Sequence, residues 1–207
     1  MRPLTPEDLL PLAEFAARRR EFFDSLVRYL DRYRRVRIGP RLTLVFENRQ
    51  TLWFRVQDVI RVARLSEGAR LQEELDIYNR LLPGPEMLQA ALLIEVLDAA
   101  RLTEELAPWR SLRGRALCLH IADQAVPASL RTCRVEDLQI GAAHWVQFAF
   151  NETNRRLLAN FRLPARFEIS HLDYKHVSPP LAEEVRQSLL EDLDLSDRDR
   201  LVAGKSA

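Results

Sequence analysis

The sequence predicts a single-domain α+β fold, and three observations carry that reading. Apolar residues recur at three- and four-residue steps through the first third of the chain. They alternate with polar residues in short runs of the second half, and no Gly/Pro-rich linker separates the two regions. The expected architecture is N-terminal helices and a hairpin, a largely antiparallel sheet in the second half, and a C-terminal helix. Residues 1–195 form the expected domain and 196–207 a frayed polar tail.

Thr5-Pro6-Glu7-Asp8 reads as a helix start, with a capping hydroxyl, proline at the first helical position and two carboxylates at the positive end of the dipole. The helix is expected to continue past Pro11. From Leu12 to Tyr33, Phe15, Phe22, Leu26, Tyr29, Leu30 and Tyr33 make one apolar stripe, with Arg20, Asp24, Arg28 and Asp31 opposite. Val36-Arg37-Ile38 and Leu42 to Glu47, around Gly39-Pro40, read as a hairpin. Helices are then expected over Thr51–Leu65 and Ala69–Leu82.

Met87 to Leu106 reads two ways: Leu92-Leu93-Ile94-Glu95-Val96 suits a buried strand, but the surrounding Ala, Leu and Glu favour a helix, and propensity alone selects the helix. Strands follow around Leu117-Leu119-Ile121 and Val146-Phe148-Phe150, a short helix over Glu152–Phe161, a strand over Arg166–His171, and a closing helix over Leu181–Leu193.

Composition narrows the function classes. The 31 basic and 30 acidic residues nearly cancel, so no overall field recruits a polyanion or an acidic membrane. Arg18-Arg19-Arg20 and Arg34-Arg35-Val36-Arg37 flank aromatic residues, yet Glu21, Asp24 and Asp31 interleave with them, and nucleic-acid binding is not expected. No apolar run reaches the length of a membrane span or a signal peptide, and the expected compartment is the cytoplasm. Cys118 and Cys133 lack C-x-x-C spacing and are expected to be buried thiols. Dinucleotide, serine-hydrolase and zincin motifs are absent, and the terminal Gly204-Lys205-Ser206 lacks the upstream glycine of a phosphate loop.

Two constellations remain as candidate chemistry. His144, His171 and His176 could ligate zinc or iron through neutral imidazole, with Glu95 or Asp173 as a carboxylate partner. His171 and His176 are five residues apart, so they can share an ion only across a turn. His144 shares a strand face with Val146, Phe148 and Phe150, where a histidine is more often a hydrogen-bonded core residue. The second constellation is Arg49, Arg55, Arg61 and Arg64, whose guanidinium forks would suit a carboxylate or phosphate. Glu73, Glu74, Asp76 and Glu95 lie near them in sequence, as on a solvated ion-paired surface.

The chain carries, in order, Thr5-x-Glu7-Asp8-Leu9, Ile38-Gly39-Pro40-x-Leu42-Thr43-Leu44-x-Phe46-Glu47-x-Arg49, Glu73-Glu74-Leu75-Asp76-x-Tyr78-Asn79, Leu93-Ile94-Glu95, Ala143-His144 and His171-x-x-Tyr174-x-His176. Taken together these motifs resemble a bacterial family, the domain of unknown function 3501 (DUF3501). The likeness spans nearly the whole chain and departs from the family pattern at Arg80 and at Val96-Leu97-Asp98. It implies a strand at Leu92–Val96, and an association with rubrerythrin-like and iron-sulfur oxidoreductase systems in peroxide or electron-transfer metabolism. It supplies no catalytic residues. Three functions follow as expectations: an accessory protein docking on a redox partner, a metal-binding protein or metal-dependent enzyme using the histidines, and a small-anion sensor using the arginines.

Overall fold

The structure, a computed structural model, describes residues 1–65, 68–131 and 142–203, the last ten by backbone alone. After a 3₁₀ turn at Pro6–Asp8 come α1 (Leu12–Tyr33), β1 (Arg35–Ile38), β2 (Leu42–Glu47), α2 (Arg49–Ala63), α3 (Ala69–Asn79) and β3 (Met87–Ile94). Short 3₁₀ turns and α4 (Leu102–Leu106) lead to β4 (Leu117–Ile121), β5 (Gln124–Arg131), β6 (Ala143–Ala149), α5 (Glu152–Ala159), β7 (Ala165–His171), β8 (Tyr174–Val177) and α6 (Glu183–Ala203). The α+β class is as expected, and the N-terminal hairpin joins the later strands in one sheet.

That sheet has eight antiparallel strands in the order β1-β2-β3-β6-β5-β4-β7-β8. It is strongly curled. Phe46 on β2 and Phe167 on β7 lie five strands apart, which would be roughly 24 Å across a flat sheet. Their ring centroids are 5.6 Å apart, with Phe148 of β6 against both. The edges β1 and β8 therefore approach each other, and the Tyr174 hydroxyl spans the seam by donating to the Ile38 carbonyl at 2.6 Å and accepting from the Arg41 N–H at 3.0 Å. The result is a barrel-like sheet whose interior is filled by side chains, among them Ile38, Leu44, Leu92, Leu119 and Ile169.

The two mouths are covered differently. Leu181, Val185, Leu189 and Leu193 of the α6 region join the interior core at the mouth formed by the start of β7 and the end of β2. Leu106, Trp109 and Leu112 close the other, beside the β7–β8 turn. Helices α1 to α3 pack on the outer face of β2, β3 and β6, where Leu26 and Leu30 meet Val45, Ala91 and Trp145.

Several local expectations are corrected. The opening helix does not run through Pro11: the chain makes one 3₁₀ turn and restarts at Leu12, because proline lacks an N–H and disfavours helical geometry in the residue before it. Met87–Ile94 is a strand, not the helix its propensity favours, since pairing with β2 and β6 on both sides overrides a weak intrinsic preference. Cys118 is half-buried on the outer face of β4, and burial beside Glu168 pushes its thiol pKa up; Cys133 lies outside the described residues. The closing helix extends to Ala203, past the expected Leu193. No helix is long and apolar enough to cross a membrane among the described residues.

Candidate functional site

The four candidate arginines do not converge on an open anion site. Arg49 pairs with Asp8 at 2.7 Å and donates through Nε to the Arg2 carbonyl. Arg61 donates to Asp58, which also receives a bidentate pair of bonds from Arg19 at 2.7 and 2.8 Å. The Arg19 guanidinium, opposed by partial burial and helped by Arg61, holds the Asp58 carboxyl below its ordinary range. Arg64 is the left-handed C-cap of α2, at φ 53°. Arg55 reaches the buried Glu47 at 2.6 Å and lies 5.8 Å over the Trp145 ring.

The three candidate histidines lie toward one barrel mouth but on different strands. His144, on β6, faces inward in register with Leu92 and is buried, as its strand face implied. His171 ends β7, where its Nε2–H donates to the Pro108 carbonyl at 2.9 Å and its ring stacks on Trp109 at 5.8 Å. His176 lies across the turn on β8, 4.3 Å from the Tyr174 ring and pressed on Gly39. Among the described residues, no three His, Cys, Asp or Glu side chains are grouped to hold a metal ion.

Around His171 the chain builds a cleft of about 430 Å³ lined by Arg41, Pro108, Trp109, Leu172, Asp173 and Tyr174. Trp109 stands edge-on to Tyr174 at 5.0 Å, so the same aromatic pair walls the cleft and closes the barrel seam. Glu105 pairs with Arg41 and accepts the N–H groups of Leu97 and Asp98 at 3.0 and 2.8 Å, which draws the Leu97 loop to this rim. Those backbone donors, with Arg41, hold the Glu105 carboxyl below its ordinary range against the opposing effect of burial.

Exposed apolar side chains stand at this mouth: Leu97 is 73% exposed and Leu172 60%. Leu172 is at the turn of the β7–β8 hairpin with φ 50°, a left-handed conformation that bulky side chains avoid. Trp109, Leu172 and Tyr174 were not singled out from sequence as site residues. The only available signal was the His171-x-x-Tyr174-x-His176 spacing, which marked the hairpin without revealing what packs on it.

The fold and this mouth define a class: a curled eight-stranded antiparallel sheet with an apolar interior, a helical layer on one outer face and an aromatic-walled cleft at one end. The chain belongs to the family described as "Protein of unknown function (DUF3501)", whose model matches residues 3–193. It is also similar, at 26% identity and a TM-score of 0.84, to a novel protein of unknown function from Burkholderia pseudomallei K96243 solved by crystallography at 1.90 Å. That alignment covers 93% of this chain and 100% of the other. No curated protein matches the sequence.

Proposed function

We propose that the chain is a non-catalytic accessory protein that docks on a partner protein through the mouth formed by Trp109, Leu172 and Leu97. Leu172 carries the reading. A leucine that is both 60% exposed and held at φ 50° is disfavoured by solvent and by backbone sterics at once, where Asn or Gly would be easier. Strain of this kind is kept at positions that act, and an apolar knob beside an aromatic cleft suits a protein interface. The separate ion pairs of Arg49, Arg55 and Arg61, the place of Arg64 at the C-terminus of α2 and the dispersal of the histidines favour this over an anion sensor or a metal centre.

The class of partner rests on the family resemblance, which points to rubrerythrin-like and iron-sulfur oxidoreductase proteins. Tagged chain isolated from its native host under gentle, low-salt lysis is expected to bring down a protein of that class. Recovery without any oxidoreductase or rubrerythrin-like companion overturns the partner assignment.

A further inference from the structure

On the outer face of the sheet, beneath α2, cross-strand register aligns four polar residues in one row: Glu47 on β2, Gln89 on β3, Gln147 on β6 and Ser129 on β5. The flanking rows are apolar or small over most of their length, with Val45, Ala91 and Trp145 on one side and Met87 and Ala149 on the other. Directly opposed residues on one face stand about 5 Å apart at Cβ, so the row is a continuous strip of carboxylate, amide and hydroxyl groups. Gln89 is 1% exposed, and neither its carbonyl oxygen nor its amide nitrogen has a hydrogen-bond partner. A buried amide left without partners is destabilising, and native structures keep few such groups.

The β2 end of the row adjoins a cleft of about 330 Å³ between α1 and α2, walled by Phe23, Leu26, Phe54 and Val59. Two polar residues of that cleft, Thr51 and Arg55, are the groups that contact Glu47, the cross-strand neighbour of Gln89. Arg55 is about one-third exposed, whereas Glu47 beneath it is fully covered. The guanidinium thus lies between the cleft and the polar row, and its long side chain has the freedom to swing outward.

We propose that Gln89, with Glu47 and Gln147 beside it, is a recognition site for a small planar molecule that presents a hydrogen-bond donor and acceptor side by side. A primary carboxamide, or the equivalent edge of a heterocyclic base, has that chemistry, because the glutamine amide offers one acceptor and two donors in a plane and pairs with such an edge through two bonds. The ligand enters by the α1–α2 cleft as Arg55 leaves Glu47, and its ring takes the apolar walls. This site lies on the helical face of the sheet, away from the docking mouth, and stands independently of the accessory reading.

The test is a melting-temperature and ligand-observed NMR titration of the full chain with benzamide and nicotinamide, using benzoate and toluene as controls. Carboxamides are expected to raise the melting temperature saturably by selective binding to the folded state, and the controls to leave it unchanged. Gln89→Leu is expected to abolish the carboxamide shift while raising the melting temperature of the free protein. Arg55→Ala, which uncovers the row without touching Gln89, is expected to bind the carboxamides at least threefold more tightly. Equal binding of benzamide and toluene, undiminished binding by Gln89→Leu, or no saturable binding by wild type and Arg55→Ala overturns the proposal. So does a high-resolution crystal structure soaked in nicotinamide in which ordered waters alone occupy both amide atoms of Gln89.

Discussion

Arg34, at the junction of α1 and β1, and Asp192, on α6, form a buried bidentate ion pair across 158 residues of sequence. Tyr29 extends the pair by accepting from Arg34 Nε and from the Asn48 amide, both at 2.9 Å. The cluster fixes α6 over the mouth it covers. Breaking one partner leaves a buried charge uncompensated, so Asp192→Ala is expected to cost about 3–5 kcal/mol in urea unfolding. The double variant Arg34→Met/Asp192→Leu is expected to recover most of that loss, since a packed apolar pair avoids the desolvation of both ions. A double variant no more stable than Asp192→Ala would show that the pair contributes more than charge compensation.

The acid limb of stability is set in part by Asp8. Its partial burial opposes ionisation, but the Thr5 N–H and the Arg49 guanidinium prevail and hold its carboxyl well below the usual carboxylate range. A folded-state pKa depressed in this way contributes stability that is fully present above the unfolded value near 4 and is lost as pH falls through the folded value. Asp8→Asn is therefore expected to lower stability by about 1 kcal/mol at pH 7 and to flatten the decline below pH 4. Unfolding midpoints measured from pH 7 to pH 2 check this, and parallel wild-type and variant curves would refute it.

The parts of this structure legible in sequence are those whose cause is local. The stripe from Phe15 to Tyr33, the Gly39-Pro40 turn and the alternation at Leu117–Ile121 each follow from period or turn chemistry within a few residues. Strand β5 was not anticipated, because Pro127 interrupts its pattern and proline is rare in a strand paired on both sides. The polar row was hidden for a different reason: Glu47, Gln89 and Gln147 become neighbours only through register, which depends on pairing 42 and 58 residues apart. Arg34 illustrates the limit most sharply. In sequence it belongs to a basic run with Arg35 and Arg37, while in the fold it is buried and they are exposed.

A similar long-range device supports α5. The Arg186 guanidinium is buried and donates to the carbonyls of Leu157, Leu158, Asn160 and Leu163, which caps the end of that helix and the following turn. Burial pushes its pKa down, although Glu183 opposes this. Arg186→Met is expected to cost about 3 kcal/mol, because several buried carbonyls lose their donor together. Arg186→Lys cannot span the same set and is expected to recover less than half of it. Hydrogen exchange should localise the damage to Glu152–Leu163, and protection unchanged in that segment would count against the capping role.

The seam between β1 and β8 depends on a glycine. At Gly39, φ is 67°, and a Cβ there would lie 2.4 Å from His176 Cγ and 2.6 Å from the Tyr174 hydroxyl. Gly39→Ala combines backbone strain with a clash in a packed place and is expected to cost at least about 2 kcal/mol. Tyr174→Phe removes only the bridging hydroxyl and is expected to cost about 1 kcal/mol. A Gly39→Ala protein as stable as wild type would mean that the edges do not close as described.

Leu172 separates stability from docking in a single substitution. Its left-handed backbone costs roughly 1–2 kcal/mol for an ordinary residue, and Asn tolerates that geometry better. Being 60% exposed, the leucine side chain recovers little of this by burial. Leu172→Asn is therefore expected to stabilise the isolated chain by up to about 1 kcal/mol while lowering recovery of the partner at least tenfold. Leu97→Asp, on the same rim but with no such strain, is expected to weaken recovery while changing stability by less than about 0.5 kcal/mol. Thermal unfolding and quantitative co-purification read the two effects separately, and full partner recovery by Leu172→Asn would remove this mouth as the docking surface.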